Sequence, residues 1–158
     1  MAMASEYRFT TVWELPAPVD RVWAELLDVE AWPTWWRGFE RVEHVRDGDA
    51  DGVGSVRDLV TRGRLPYRLR YRLEVVRVEP ERLVEAVSSG ELVGVGRWTL
   101  EPTDGGTRAE YRWEVRTTSR LLRMLSPIAR RTLARNHDLV MEWGRQGLLG
   151  RLGVRAEP

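Results

Sequence analysis

His137 is the side chain whose type and place best suit proton chemistry. It stands beside Asn136 on the apolar side of a helical run that includes Leu133, Val140, Met141, Gly144 and Leu148. A neutral imidazole there titrates near working pH and can shuttle a proton in an enolisation or a dehydration. Hydrogen-bonded to a backbone carbonyl or a tyrosine, the same residue would be structural. The other histidine, His44, lies on a charged strand and is assigned no role. Three later strands add flat surfaces. Their inward positions read Tyr67, Leu69, Tyr71, Leu73, Val75; then Leu92, Gly94, Gly96, Trp98, Leu100; then Ala109, Tyr111, Trp113, Val115. Rings facing glycines leave room for a planar polycyclic or isoprenoid ligand, with tyrosine hydroxyls to orient it. The alternative is a filled core whose glycines relieve a curved sheet.

Other chemistries lack their residues. The chain has no cysteine, so disulfides and thiolate zinc sites are excluded. HExxH, P-loop and GxSxG patterns are missing, no paired carboxylates lie on an apolar face, and no metal or cofactor is expected. An enzyme built this way would work by cavity shape and a few neutral donors. All 25 basic residues are arginine, balanced by 24 acidic ones, which speaks against a nucleic-acid binder. Arg62, Arg64, Arg68, Arg70 and Arg72 in "RGRLPYRLRYR" form a local exception. They are either a basic stripe for an acidic carrier protein or the solvated face of a sheet. No apolar run reaches membrane-span length and the N-terminus lacks a secretion pattern, so the expected location is cytoplasmic.

The elements that must position these residues follow from periodicity. "SEYRFTTVWEL" alternates Tyr7, Phe9, Thr11, Trp13 and Leu15 against polar neighbours, which predicts a strand. "PAPVDRVWAELLD" switches to helical spacing, with Pro18 at its start. Trp32, Trp35 and Trp36 then stand at i, i+3 and i+4 and share a helix face. Strands are expected over Arg41–Arg46, Val53–Thr61, Pro66–Glu79, Leu83–Ser89, Leu92–Glu101 and Arg108–Thr117, separated by short Gly/Asp/Pro turns. Such short connections imply an antiparallel meander. "SRLLRML" reads as a short helix, and Ser126 with Pro127 as the start of a long amphipathic one. A seven-stranded sheet with one polar face must bury the other. One helix, about 10 Å wide, cannot fill it, so a cavity between sheet and helix is expected. With 158 residues, the chain is expected to be one domain over 1–158.

"LPAPVDRVWAELLDVEAWPTWW", "GVGSV", "GRWTLEP", "GGTRAEYRWEV" and the closing helix resemble the START-like SRPBCC superfamily, the Bet v 1-like helix-grip proteins that include polyketide cyclase/dehydrase-related members. The resemblance implies an α+β helix-grip fold: a seven-stranded antiparallel sheet wrapped on a long C-terminal helix, with two short helices after strand 1. It implies that the tryptophan stretch sits at the cavity mouth as a lid. In aromatase/cyclases of this kind an arginine after the "WP" would fall on Arg57, where it can hold a poly-β-keto chain or stabilise an enolate. A tyrosine of those enzymes falls on Phe39, which has no hydroxyl. The strand parity of "VGSVRDLVT" leaves the face of Arg57 open, and a surface Arg57–Asp58 pair is the alternative.

Three functions follow. The first is binding of a small hydrophobic molecule, aromatic, polyketide or isoprenoid-like, between Trp32, Trp35, Trp36, Phe39, Tyr67, Tyr71, Trp98, Tyr111, Trp113, His137 and Met141. The second is a polyketide cyclase/dehydrase with His137 and Arg57 as catalytic groups. The third is a ligand-free interaction domain using the arginine stripe.

Overall fold

The computed structural model describes residues 6–118, 120, 124 and 128–155. Strand β1 (Glu6–Leu15) is followed by helix α1 (Val19–Leu27), a 3₁₀ turn (Val29–Ala31) and the one-turn helix α2 (Trp32–Trp35). Six strands come next: β2 (Phe39–Arg46), β3 (Val56–Thr61), β4 (Leu69–Glu79), β5 (Leu83–Gly90), β6 (Leu92–Thr103) and β7 (Gly106–Thr117). Helix α3 (Ile128–Leu152) closes the chain. The short helix expected over "SRLLRML" and the Ser126–Pro127 start fall largely outside the described residues; Arg120 and Met124 are helical.

The seven strands form one antiparallel sheet in the order β1-β7-β6-β5-β4-β3-β2. This is the helix-grip α+β architecture. Strands β2 to β7 pair in sequence, as their short turns require. The first two strands occupy opposite edges, so residues 16–38 must cross the concave face, and the two short helices lie on that crossing. Alternation decides which side chains meet there. Trp13, Leu15, Leu59, Trp98, Leu100, Ala109, Trp113 and Val115 are buried, while the outer face carries ion pairs such as Arg97–Glu85, Arg112–Glu110 and Arg72–Asp58.

Helix α3 packs against α2, β1 and α1, and in its C-terminal half Met141, Leu148, Leu149 and Leu152 are buried. Arg21 in α1 donates from Nη2 to the Leu152 carbonyl (2.7 Å), satisfying an acceptor that the helix end leaves open.

Four of the expected strands are longer by one or two residues at one end (β2, β5, β6 and β7), and two start three residues late. Strand β3 starts at Val56 rather than Val53, because Gly52 and Gly54 sit at φ +92° and +91° and keep the chain turning. Strand β4 starts at Leu69 rather than Pro66, leaving residues 62–68 as a loop. That loop is folded back on the structure: the Arg62 N–H donates to the Gly38 carbonyl (2.8 Å), and the Arg64 N–H to Asn136 Oδ1 of α3 (2.7 Å).

Candidate functional site

Between the concave face and α3 lies a cavity of about 140 Å³. All four tyrosines and both phenylalanines of the chain line it, with four of the eight tryptophans. No arginine, aspartate or glutamate among the described residues lines it. The concentration follows from strand parity. Tyr7 and Phe9 come from β1, Tyr71 from β4, Trp98 from β6, Tyr111 and Trp113 from β7, all on the side that faces α3.

One end of the cavity is an aromatic floor. Trp32 packs on Phe39 edge-on (4.9 Å, 70°) and on Trp36 (5.1 Å). Trp36 touches Trp13 (5.4 Å), and Trp13 touches Trp98 (4.8 Å). Trp36 is fixed by a hydrogen bond from its Nε1–H to the Val140 carbonyl of α3 (2.8 Å). Gly144 makes that reach possible, since a Cβ there would stand 2.3 Å from the indole. Gly96 does the same inside the sheet: a Cβ would stand 2.7 Å from the Tyr111 hydroxyl and 2.9 Å from Trp113. The room opposite this glycine is therefore taken partly by the protein's own rings.

The other end holds most of the polar groups. The His137 ring stacks on Phe9 at 4.0 Å and 11°, and Phe9 on Tyr7 at 6.0 Å. The Tyr7 hydroxyl, the Tyr67 hydroxyl and His137 Nδ1 are buried without a hydrogen-bond partner; the Asp138 carboxylate is 3.7 Å from Nδ1. On the floor, the Trp32 indole N–H is unpartnered too. Burial lowers the pKa of His137, with Asp138 opposing it in part, so the imidazole is neutral at pH 7. Burial pushes the Tyr67 phenol up to about 12, and raises Tyr71 and Tyr111 as well, Tyr71 against a hydrogen bond with Thr61. All three phenols are therefore protonated donors. Chemically this set is a neutral base and several O–H donors in an apolar chamber.

Two residues expected at the site are elsewhere. Trp35 does not line the cavity. Helix α2 ends at Trp35 and Trp36 turns extended (φ −102°, ψ 96°), so the three indoles do not share a face. Trp35 instead stacks on Trp36 (5.5 Å, 22°) and rests its carbonyl against Gly147 of α3. Arg57 is also absent from the walls. It pairs with Leu73 across β3–β4, so it does point to the concave side. There the 3₁₀ turn meets it, and its Nε donates to Glu30 (2.8 Å) with Nη1 to Ser55 (3.0 Å). Burial would raise the Glu30 carboxyl, but Arg57 and His44 hold it below its usual range. A guanidinium so engaged is a structural tie. The alternative Arg57–Asp58 pair is not formed either, because Asp58 binds Arg72 through both carboxylate oxygens (2.6 and 2.8 Å). Within the arginine stripe Arg72 is thus neutralised, as is Arg68 by Glu40 (2.6 Å).

Trp32, Trp36, Phe39, Tyr67, Tyr71, Trp98, Tyr111, Trp113, His137 and Met141 do converge on the cavity. With them come Tyr7, Phe9, Thr61, Leu133, Asn136 and Val140, which were not named as walls. For all of these except Thr61, which β3 supplies, the signal is present in the alternation of β1 and the apolar stripe of α3.

Residues 15–138 match the family described as polyketide cyclase/dehydrase and lipid transport. No curated protein matches the sequence. Among solved structures, the Zhui aromatase/cyclase from Streptomyces sp. R1128 is similar at TM-score 0.76 and 17% identity over 94% of each chain. TTHA0849 from Thermus thermophilus is similar at TM-score 0.72 and 20% identity, over 93% of this chain and 99% of that one. Ara h 8.0201 is similar at TM-score 0.64 and 14% identity, over 92% and 99%. At these identities the likeness concerns the fold.

Proposed function

The chain belongs to the polyketide cyclase/dehydrase and lipid transport family, and from that premise we propose that it binds a small, uncharged, ring-bearing molecule between its sheet and α3. The observation that carries the reading is the wall composition: every tyrosine and phenylalanine of the chain and, among the described residues, no ionised side chain. An apolar cavity of about 150 Å³ is large enough for benzene, so the space of about 140 Å³ suits a single ring. Unpartnered hydroxyls of Tyr7 and Tyr67 give such a ring a place for one oxygen. A carboxylate would enter without a cation to compensate its lost hydration, at a cost of several kcal/mol.

The test is a panel of p-cresol, toluene and benzoate, followed by NMR on the tryptophan indole N–H signals. The expected order is p-cresol tighter than toluene by about tenfold, the worth of one good hydrogen bond, with benzoate weakest. Tyr7→Phe and Tyr67→Phe should bring p-cresol toward toluene. Absence of binding by all three compounds would refute the cavity reading itself.

A cyclase/dehydrase activity in the same chamber is favoured by one observation. The neutral His137, with Nδ1 unpartnered, lies at the end of the cavity that also holds the Tyr7 and Tyr67 hydroxyls. It would serve as a base while the phenols hold a developing enolate. An extended keto chain needs more than this volume, since pockets for drug-sized ligands run from about 300 Å³ upward. Turnover would therefore require α3 and the 62–68 loop to move apart.

A further inference from the structure

Two stretches of the chain are rich in arginine and free of acid. Residues 59–73 hold five arginines and residues 115–137 hold six, with no aspartate or glutamate in either. Together they contain eleven of the twenty-five arginines. The fold joins the loop of the first stretch to α3 in the second. The Arg64 N–H donates to Asn136 Oδ1 (2.7 Å), and Gly63 is so close to Asn136 that a Cβ would stand 2.1 Å from its side chain. Gly63, Tyr67, Leu133, Asn136 and His137 wall the cavity at this junction.

The arginines flanking the junction differ from those on the sheet. Arg68 and Arg72 are held by Glu40 and Asp58. Arg62, Arg64, Arg130, Arg131 and Arg135 are exposed and have no carboxylate partner among the described residues. The first carboxylate reached along α3 is Asp138. Unpaired like charges repel one another, and this side of the protein therefore gains most from an extended negative surface. A second, independent feature lies in the same acid-free stretch. Met124 is 82% exposed, the most exposed large apolar side chain among the described residues, and it lies in the chain between the exposed Arg120 and Arg130. Basic residues around a projecting apolar side chain suit a bilayer interface, where the charges meet headgroups and the apolar group enters the acyl boundary.

We propose that the junction of the 62–68 loop with the first half of α3 docks peripherally on an anionic lipid surface. Docking would set this end of the apolar cavity against the bilayer, so that an apolar ligand could pass between them with less exposure to water. No helix among the described residues is long and apolar enough to cross a membrane, so the contact is superficial.

Co-sedimentation of the full chain with vesicles tests this. The probes are phosphatidylcholine alone and a mixture of about 70:30 with phosphatidylglycerol, with free polyglutamate as a soluble competitor. The expected result is binding to the mixed vesicles only, lost at about 0.5 M salt because exposed charges are then screened. Each arginine near such a surface is worth roughly fivefold in partitioning. The pairs Arg62→Gln with Arg64→Gln, and Arg131→Gln with Arg135→Gln, should each weaken binding at least tenfold. None of these side chains holds the fold together through an ion pair among the described residues. Met124→Ser should weaken it severalfold without changing the salt dependence. Equal binding to both vesicle types, or none to either, would overturn the proposal. So would displacement by polyglutamate together with indifference to Met124→Ser, which would assign the arginines to an acidic protein instead.

Discussion

His137 is buried between two influences, an aromatic ring against its face and a carboxylate near its edge. The ring wins: the pKa falls, because Phe9 and the surrounding apolar walls solvate an imidazolium poorly and Asp138, largely exposed at 3.7 Å, compensates only in part. The sign of the resulting pH dependence follows. As pH drops below about 6.5, the unfolded chain takes up a proton at this position while the folded chain does not. The unfolded state then binds more protons, so stability declines until pH falls through the lowered folded value. Urea unfolding measured from about pH 7.5 to pH 5.5 should show this decline, and His137→Gln should flatten it. An unchanged slope in the variant would mean that the imidazole is not desolvated as its packing indicates.

At the level of elements, α2 and α3 are clamped through glycines. The Trp36 indole reaches the Val140 carbonyl over Gly144, and the Trp35 carbonyl meets α3 at Gly147. Gly144→Ala favours the isolated helix by about 1 kcal/mol. In this fold the new methyl meets the indole at 2.3 Å and disrupts a half-buried hydrogen bond, for a net loss of roughly 1–3 kcal/mol. Denaturant midpoints check the direction. A cycle with Trp36→Phe should reduce the penalty, because the smaller ring relieves the clash that produces it. This clamp also marks where sequence reasoning ran out. Alternation placed the inward rings of β4, β6 and β7, and helical spacing placed His137 and Met141, because each depends on local period alone. Trp35 and Arg57 depended on something else. The spacing of Trp32, Trp35 and Trp36 implies a shared face only if the helix continues, and it stops one residue short. Strand parity sends Arg57 inward, yet the 3₁₀ turn bearing Glu30 intercepts it before the cavity. Neither event has a local sequence signature. Both are set by how residues 16–38 cross between the two edges of the sheet.

Across the whole molecule, packing is uneven. One cluster, built from Trp13, Trp36, Leu59, Leu100, Leu148 and their neighbours, is close-packed under α1, α2 and the C-terminal half of α3. A second, smaller cluster of Tyr7, Leu92, Trp113 and Val115 stands across the cavity, with Leu133 against it. Leu148 is fully buried, whereas Leu133 is half-buried on the cavity wall. Truncating them should therefore cost different amounts for the same chemical change. Leu148→Ala removes contacts on every side and should destabilise by about 2–5 kcal/mol. Leu133 already faces open space on one side, so Leu133→Ala forfeits fewer contacts and should cost about 1 kcal/mol or less. It should also widen the chamber enough for a two-ring probe such as 1-naphthol to gain affinity over p-cresol. Unfolding free energies and the naphthol-to-cresol ratio, measured on the same two variants, check both halves. Equal destabilisation by the two truncations would mean that the cavity collapses in solution, and the stabilising core would then extend across the space assigned to the ligand.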